Sequence, residues 1–123
     1  MEDRATRLEA AFESAMAKAR EHLSAGDARS AFVALETAHV LGQPAFVRHL
    51  RVHARMLQAA WRLHDLQELR GQVFRLCLVP LGHALGRLPV GNTGRSNVSA
   101  FEPMPIPAEL SDLLDGPRSR DEP

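Results

Sequence analysis

The fold of this chain is set largely by one stretch, Glu36 to Met56, which reads as two helices joined by a sharp turn at Gly42–Gln43–Pro44. Glycine is common where helices end, and proline is tolerated in a first helical turn, so the break between the two helices is well marked. A turn of about three residues requires the helices to pack side by side and antiparallel. The stretch therefore predicts an antiparallel helix pair.

Four metal-ligating side chains lie on this helix pair. Glu36 and His39 are three residues apart on the first helix, and His49 and His53 are four apart on the second, so each pair shares a helical face. At a rise of about 1.5 Å per residue, His39 and the two later histidines lie at similar heights on facing helices. The spacing predicts that all four side chains meet at one corner.

Such a corner could hold a divalent metal, because neutral imidazole is a good ligand for zinc, copper or nickel. In this interpretation His39, His49 and His53 bind the metal directly, and Glu36 is either a fourth ligand or orients a histidine. In the alternative interpretation His39 forms a hydrogen bond with Glu36 or a carbonyl group, and His49 and His53 are half-buried polar residues between helices. Neither interpretation assigns a catalytic residue or an organic cofactor.

Apolar residues at helical spacing predict four helices in residues 1–80. The first occupies residues 3–24, Asp27 is a suitable N-cap for the second, and the D-x-x-E pattern from Asp65 begins the fourth. The third, residues 44–64, carries two stripes and is expected to bury both against neighbours. One stripe is Phe46, Leu50, Ala54, Leu57 and Trp61, and the other is His49, His53, Met56, Ala60 and Leu63.

Prolines and glycines change the character of the chain after position 80. We expect residues 81–114 to form an irregular arm packed on the helices, with a short helix near 108–114, and residues 115–123 to form a disordered tail. The loop G-N-T-G-R-S-N carries Asn92, Thr93 and Asn97, which bond its own backbone or cover the histidine corner as a lid. The predicted fold is all-α, with two antiparallel helical hairpins in residues 1–80 followed by this arm.

The composition is that of an ordinary globular domain, with 45% apolar and 24% charged residues and a formal net charge of zero. A single cysteine leaves no internal disulfide and fits a reducing compartment, and no apolar run reaches transmembrane length, so we expect a cytoplasmic protein without a membrane partner. The chain has no tyrosine and one tryptophan, so it offers no stacking platform for bases, and we expect no nucleic-acid partner.

Two sequence motifs carry resemblances. The segment S-A-G-D-A-R-S-A-F-V-A-L-E-T-A-H-V-L-G-Q-P, residues 24–44, is similar to the second half of a tetratricopeptide repeat. Its turn and small-residue positions are occupied by Gly26, Asp27, Ala31, Leu35 and Ala38. This resemblance implies hairpins of the tetratricopeptide kind.

Across nearly its whole length the chain also resembles a family of small bacterial proteins catalogued only as a domain of unknown function. The motifs that carry this resemblance are A-H-V-L-G-Q (38–43), H-x-x-x-H-x-x-M (49–56) and P-V-G-N-T-G-x-x-N-V-S-A-F (89–101), followed by P-M-P-I-P. The resemblance implies membership of that family and no particular activity.

Three classes of function remain open at this point, and the first is preferred. It is a small cytoplasmic binding or interaction protein whose histidine corner holds a divalent metal. The second is a protein-interaction module without metal, in which helix faces and the arm pack against a protein partner or a second copy. The third is a small enzyme in which a histidine acts as general base and the asparagine-rich loop holds substrate. A pocket joining His53 to Asn92 or Asn97 would favour the third.

Overall fold

The computed structural model describes residues 3–115, and its regular structure is entirely helical. The helices are α1 (Arg4–Ser24), α2 (Ala28–Gly42), α3 (Phe46–Arg62), α4 (Leu66–Leu85) and α5 (Ala108–Asp115). No strand occurs within residues 3–115, so the predicted all-α class is confirmed. Over the same residues, no helix combines the length and the apolar character that crossing a bilayer requires.

Three of the helices begin at an aspartate. The carboxylates of Asp3, Asp27 and Asp65 accept hydrogen bonds from the backbone N–H groups three residues later, at 2.8, 3.0 and 3.0 Å. Each carboxylate satisfies one of the N–H groups that the start of a helix leaves without a partner, which is worth about 1 kcal/mol. The positions of these caps explain why the first, second and fourth helices begin close to where the sequence predicts them.

Consecutive helices pack against each other in the order α1, α2, α3 and α4, and α5 lies against α1 and α2. The connections between α1 and α4 are three residues long, at 25–27, 43–45 and 63–65, so sequential neighbours are antiparallel. This order places α2 and α3 in the middle of the bundle. Pairing of the tetratricopeptide kind stays a prediction.

Helix α3 buries one side only. The stripe that contains the histidines faces its neighbours, whereas Phe46 and Trp61 of the other stripe are 42% and 67% exposed. The expectation that both stripes are buried was wrong, because α2 and α4 both contact α3 on its histidine side. The buried residues of α3 are His49, Val52, His53, Met56, Ala59 and Ala60.

Helix α4 continues through Pro80 to Leu85 and ends at Gly86, whose φ of 65° lies in the left-handed region that glycine favours. Pro80 lies on the exposed side, where the loss of one backbone N–H can be accommodated. The irregular arm consequently runs from Gly86 to Pro107 rather than from residue 81, and α5 occupies the place of the predicted short helix. Of the expected disordered tail, residues 116–123 lie outside the described residues.

Candidate functional site

Three histidine side chains converge where α2 meets α3. The Nε2 atom of His39 lies 3.1 Å from the Nε2 atoms of both His49 and His53, and the latter two atoms are 3.2 Å apart. The three side chains are buried, with 2, 5 and 2% of their surface exposed. The histidine triad, His39, His49 and His53, therefore presents three ligand atoms at the corners of a nearly equilateral triangle.

The local sequence accounts for this convergence. His39 belongs to the last turn of α2, and the turn at 43–45 returns the chain so that α3 packs beside α2. His49 and His53, four residues apart, lie on the side of α3 that faces α2. The sequence prediction that His39 meets the two histidines of the next helix agrees with this geometry.

The outer nitrogens of two triad rings are hydrogen-bonded to oxygen acceptors. Nδ1 of His39 donates to the backbone carbonyl of Asn92 at 2.6 Å. Nδ1 of His53 lies 2.7 Å from the side-chain oxygen of Gln72 in α4. A carbonyl oxygen can only accept, so the proton of a neutral His39 is on Nδ1 and its Nε2 atom carries a lone pair.

The orientation of the Gln72 side chain determines which ring nitrogen of His53 carries the proton. The side-chain nitrogen of Gln72 donates to the carboxylate of Glu68 at 3.0 Å and to the carbonyl of Gly94 at 2.9 Å. Both partners are acceptors, so the oxygen end of the amide must face His53 and accept its Nδ1 proton. In the neutral state the Nε2 atom of His53 therefore also carries a lone pair that points towards the other triad nitrogens.

The third ring, His49, has another histidine as its outer partner. Its Nδ1 atom lies 3.0 Å from Nε2 of His83 in α4, and the His83 ring stands edge-on to Phe46 at a centroid distance of 5.3 Å. When His49 donates from Nδ1 to His83, its Nε2 atom joins the other two as a lone-pair donor. A fourth histidine thus supports the triad from outside.

The environment keeps the triad uncharged near neutral pH. Burial lowers the pKa of His39 well below its ordinary value, and the neighbouring His53 and His49 rings lower it further. Burial, together with the His53 and His83 rings, lowers the pKa of His49 to about 3. For His53, burial lowers the pKa to about 4, although the hydrogen bond with Gln72 opposes the change. Neutral imidazoles are the form that binds metal ions.

The glycine-rich loop of the arm lies directly against the triad. A Cβ atom at Gly94 would lie 2.5 Å from Cδ2 of His39, so only glycine allows this approach, and its φ of 81° is in the left-handed region. Asn92 is buried and holds the loop together: its amide nitrogen donates to the carbonyls of Ser99 and Glu102, and its oxygen accepts from the Gly94 N–H. The loop therefore positions His39 through its backbone.

The other two predicted loop residues do not reach the triad rings. Thr93 is partly buried, and its hydroxyl lies 3.5 Å from the backbone nitrogen of Arg95 within the loop. Asn97 is exposed. The interpretation in which these side chains bond the loop itself therefore suits Asn92 and Thr93, while the part of the loop that covers the triad is the backbone around Gly94.

Glu36, the fourth predicted ligand, is not in the triad. Its carboxylate lies 3.3 Å from Nη1 of Arg95, whose guanidinium also stacks 3.9 Å from the centre of the Phe32 ring. Burial raises the pKa of Glu36, and the contact with Arg95 partly offsets this. The structure brings together three of the four predicted ligands, because an arginine from the arm attracts the carboxylate instead.

A second carboxylate, Glu68, anchors the arm to α4. It is buried and accepts hydrogen bonds from Gln72, from Nε of Arg95 at 2.9 Å, and from both the backbone N–H and the hydroxyl of Ser96. Burial raises its pKa, but the hydrogen bonds from Ser96, Gln72 and Arg95 outweigh burial, so the net change is a lowered pKa. Glu68 thereby links the loop to Gln72 and, through it, to His53.

A cavity of about 230 Å³ borders all three triad histidines. Most of its wall is apolar, and the larger apolar side chains are Leu78, Val79, Leu81, Leu85, Leu88 and Phe101. Besides the triad, four polar residues line it: Arg75, which donates to the carbonyl of Val98, Gln43, which is only 3% exposed, Arg87 and Asn92. The triad cavity therefore gives the metal-ligating nitrogens an opening towards a mainly apolar space.

Sequence reasoning did not assign Gln43, Gln72, Arg75 or His83 to the site. One signal was available, since Glu68 and Gln72 are four residues apart and therefore share one face of α4. Buried polar groups at such a spacing require partners, which the loop and the triad provide. The other residues reach the site through contacts far apart in sequence, which local spacing does not reveal.

Comparison with known proteins shows which family the chain matches. The family described as "Protein of unknown function (DUF3703)" matches residues 6–114. The chain belongs to this family. No curated protein and no solved structure matches the chain. The three stretches that carried the resemblance in the sequence meet in space at the triad, since they contain His39, then His49 and His53, then Asn92 and Gly94.

Proposed function

We propose that the protein binds a divalent transition metal through the Nε2 atoms of His39, His49 and His53. One observation carries the proposal: the hydrogen bonds at Nδ1 of His39 and His53 leave lone pairs at Nε2 atoms that are only 3.1 Å apart. Two lone pairs at that distance repel each other in a buried site. A cation between them replaces this repulsion with two coordinate bonds.

The triangle has suitable dimensions for such an ion. With sides of 3.1, 3.1 and 3.2 Å, its centre is about 1.8 Å from each nitrogen, and Zn–N bonds of roughly 2.0–2.1 Å would place an ion about 1 Å from the plane. The resulting angles between bonds are about 100°, close to those of a tetrahedral site. The outer hydrogen bonds orient the rings in the way that supporting residues do in metal sites.

Zinc, copper and nickel all suit a set of three neutral imidazoles. Three protein ligands leave at least one coordination position open, as in metal sites that bind a small molecule. The triad cavity supports this arrangement because it borders all three ligands. The proposed function is therefore that of a metal-binding protein with an open coordination position.

A second candidate is interaction with a protein partner or with a second copy, without metal. Large apolar side chains on α3 and α4 favour it, since Trp61, Val73 and Phe74 are 67, 50 and 54% exposed. The enzyme with a histidine general base receives less support. Although the cavity touches both His53 and Asn92, the Asn92 amide already bonds Ser99, Glu102 and Gly94 and is not available to hold substrate.

The deciding experiment is calorimetric titration of protein purified without a polyhistidine tag with Zn²⁺, Cu²⁺ and Ni²⁺. We expect saturation at one ion per chain for at least one of these metals. His39→Ala and His53→Ala should abolish this binding, because each removes one of three ligands. His53→Asn, which keeps a polar side chain of smaller size in the bundle, should do the same while the circular dichroism of the helices is retained.

The matched control is His22→Ala. His22 lies in the last turn of α1, away from the triad cavity, so its loss should leave the stoichiometry and affinity unchanged. Lack of saturable uptake of all three metals by the folded wild-type protein would refute the proposal. If that protein also showed a mass that rises with concentration, the second candidate would take its place.

A further inference from the structure

The triad cavity has the electrostatic character of an anion site. Three neutral imidazoles do not cancel the charge of a divalent ion, and no acidic side chain among residues 3–115 lines the cavity. Two arginines, Arg75 and Arg87, do line it. A negatively charged group at the open coordination position would therefore be attracted both by the ion and by the surrounding side chains.

Gln43 supplies a polar side chain that has no hydrogen-bond partner in the described part of the chain. It is 3% exposed and lines the cavity, yet its side-chain amide has no hydrogen-bond partner among residues 3–115. Every fully enclosed side-chain nitrogen and oxygen of residues 3–115 has a partner, so the Gln43 amide is not fully enclosed, and Gln43 is one of the residues that line the cavity. An amide that faces the cavity can form a hydrogen bond with a ligand there without breaking a bond to another protein group.

Arg75 adds a donor of a particular geometry. Its side chain is 7% exposed, lines the cavity and uses one Nη atom to hold the carbonyl of Val98 in the arm. The planar guanidinium has further N–H groups, and their arrangement matches the two oxygens of a carboxylate. Burial lowers the pKa of Arg75, but a guanidinium keeps its charge at neutral pH.

The rest of the cavity is apolar and small. Leucine, valine, proline and phenylalanine side chains form most of the wall, and the volume is about 230 Å³. An apolar cavity of about 150 Å³ holds benzene, so this one suits a molecule with roughly eight to ten non-hydrogen atoms.

We propose that the triad cavity binds a small apolar carboxylate, such as a medium-chain fatty acid, with its carboxylate on the triad-bound metal and its hydrocarbon chain along the leucine wall. Gln43 donates to the carboxylate oxygen that the metal leaves free, and Arg75 supplies the second positive charge. This inference rests on the proposed metal-binding function and adds the class of molecule that occupies the open position.

The test uses the full chain loaded with Co²⁺, whose visible absorption reports the ligands of the ion. Hexanoate, acetate and hexan-1-ol are titrated into the loaded protein. We expect hexanoate to change the spectrum with a dissociation constant at least about tenfold lower than that of acetate, because its longer chain is buried. Hexan-1-ol has the same chain without the charge and should leave the spectrum unchanged.

Gln43→Leu tests the proposed amide contact. The substitution keeps the size of the side chain but removes its hydrogen bonds, so hexanoate should bind about tenfold more weakly while Co²⁺ affinity is retained. The matched control is Gln58→Leu, since Gln58 is a partly buried residue of α3 that bonds Arg55 outside the triad cavity. Its hexanoate affinity should equal that of the wild type.

The outcomes separate this inference from the proposed function. If Co²⁺ binds but hexanoate and acetate bind equally well or not at all, only the carboxylate inference is overturned. It is also overturned if Gln43→Leu and Gln58→Leu weaken hexanoate binding to the same extent. If Co²⁺ does not bind and zinc, copper and nickel also fail to bind in the calorimetric titration, both proposals are overturned.

Discussion

Acidification should destabilise the metal-free protein well before its carboxylates titrate. In the folded chain the pKa values of His49 and His53 are lowered from 6.5 to about 3 and about 4, and that of His39 is lowered as well. In the unfolded chain all three return to near 6.5. Between about pH 4 and 6.5 the unfolded state therefore binds more protons, so stability is fully present above pH 6.5 and decreases as the pH falls.

The size of the effect follows from the linkage relation. For each histidine that stays neutral in the folded state, the free energy of unfolding falls by about 1.4 kcal/mol per pH unit below 6.5, which is about 2 kcal/mol at pH 5. Allowing for partial contact of the rings with water in the cavity, we expect the triad to cost about 3 kcal/mol between pH 7 and pH 5. That is a large part of the 5–15 kcal/mol by which domains are usually stable.

Titration of the carboxylates does not account for a loss of stability between pH 7 and pH 5. Asp27 and Glu68 have lowered pKa values and lose their stabilisation only below about pH 4.5. Glu36 has a raised pKa, so its protonation acts in the opposite direction and favours the folded state as the pH falls. A net loss of stability above pH 5 must therefore come from histidines.

The measurement is urea unfolding followed by circular dichroism at 222 nm, in the presence of a chelator, at half-unit steps between pH 7 and pH 5. His53→Asn should reduce the slope of the unfolding free energy against pH by about one proton. His22→Asn should leave the slope unchanged, because His22 lies in the last turn of α1 and does not line the triad cavity. Equal stability of the wild type at pH 7 and pH 5 would refute the reasoning, as would an equal effect of the two substitutions.

Two substitutions test the support around the triad. Gly94→Ala should destabilise the protein by about 1–3 kcal/mol in urea unfolding and weaken metal binding, because the new Cβ would lie 2.5 Å from the His39 ring. The control is Gly26→Ala, which has a similar φ of 77° but no atom within 4 Å of the new Cβ. It should lower stability only by the backbone strain and leave metal binding unchanged. Gln72→Leu should lower metal affinity about 10- to 100-fold in calorimetry with the helix content retained, because His53 loses the acceptor that fixes its proton on Nδ1; an affinity equal to that of Gln58→Leu would contradict this.

Local patterns were enough to predict most of the helical framework. The caps at Asp27 and Asp65 and the short turns are properties of a few neighbouring residues, and each appears in the structure close to its predicted position. The two differences concern neighbours in space. Trp61 is exposed because α2 and α4 both pack on the histidine side of α3, and α4 passes Pro80 because that position faces outward. Periodicity shows that a residue is apolar at a helical spacing but not which side another helix covers.

The same distinction applies to the site. His49 and His53 were predictable because a spacing of four places them on one helical face, and His39 because a short turn fixes how α2 and α3 meet. Glu36 was expected there on the same local argument, but its partner is Arg95, which is 59 residues away in sequence. The part of the site that depends on the arm could not be derived from helical spacing, since no local rule determines where the arm crosses the bundle.

The proposed metal site depends on both the helices and the arm. The ligand nitrogens come from α2 and α3, but the groups that fix the outer nitrogens come from the arm for His39 and from α4 for His53 and His49. Gln72 bonds both His53 and the loop carbonyl of Gly94, so the rings and the loop share one hydrogen-bond network. A metal that requires the His39 and His53 rings in the observed orientation must then bind more tightly when the arm is packed on the helices than when it is detached. By linkage, docking of the arm raises metal affinity by the same factor by which the metal stabilises docking.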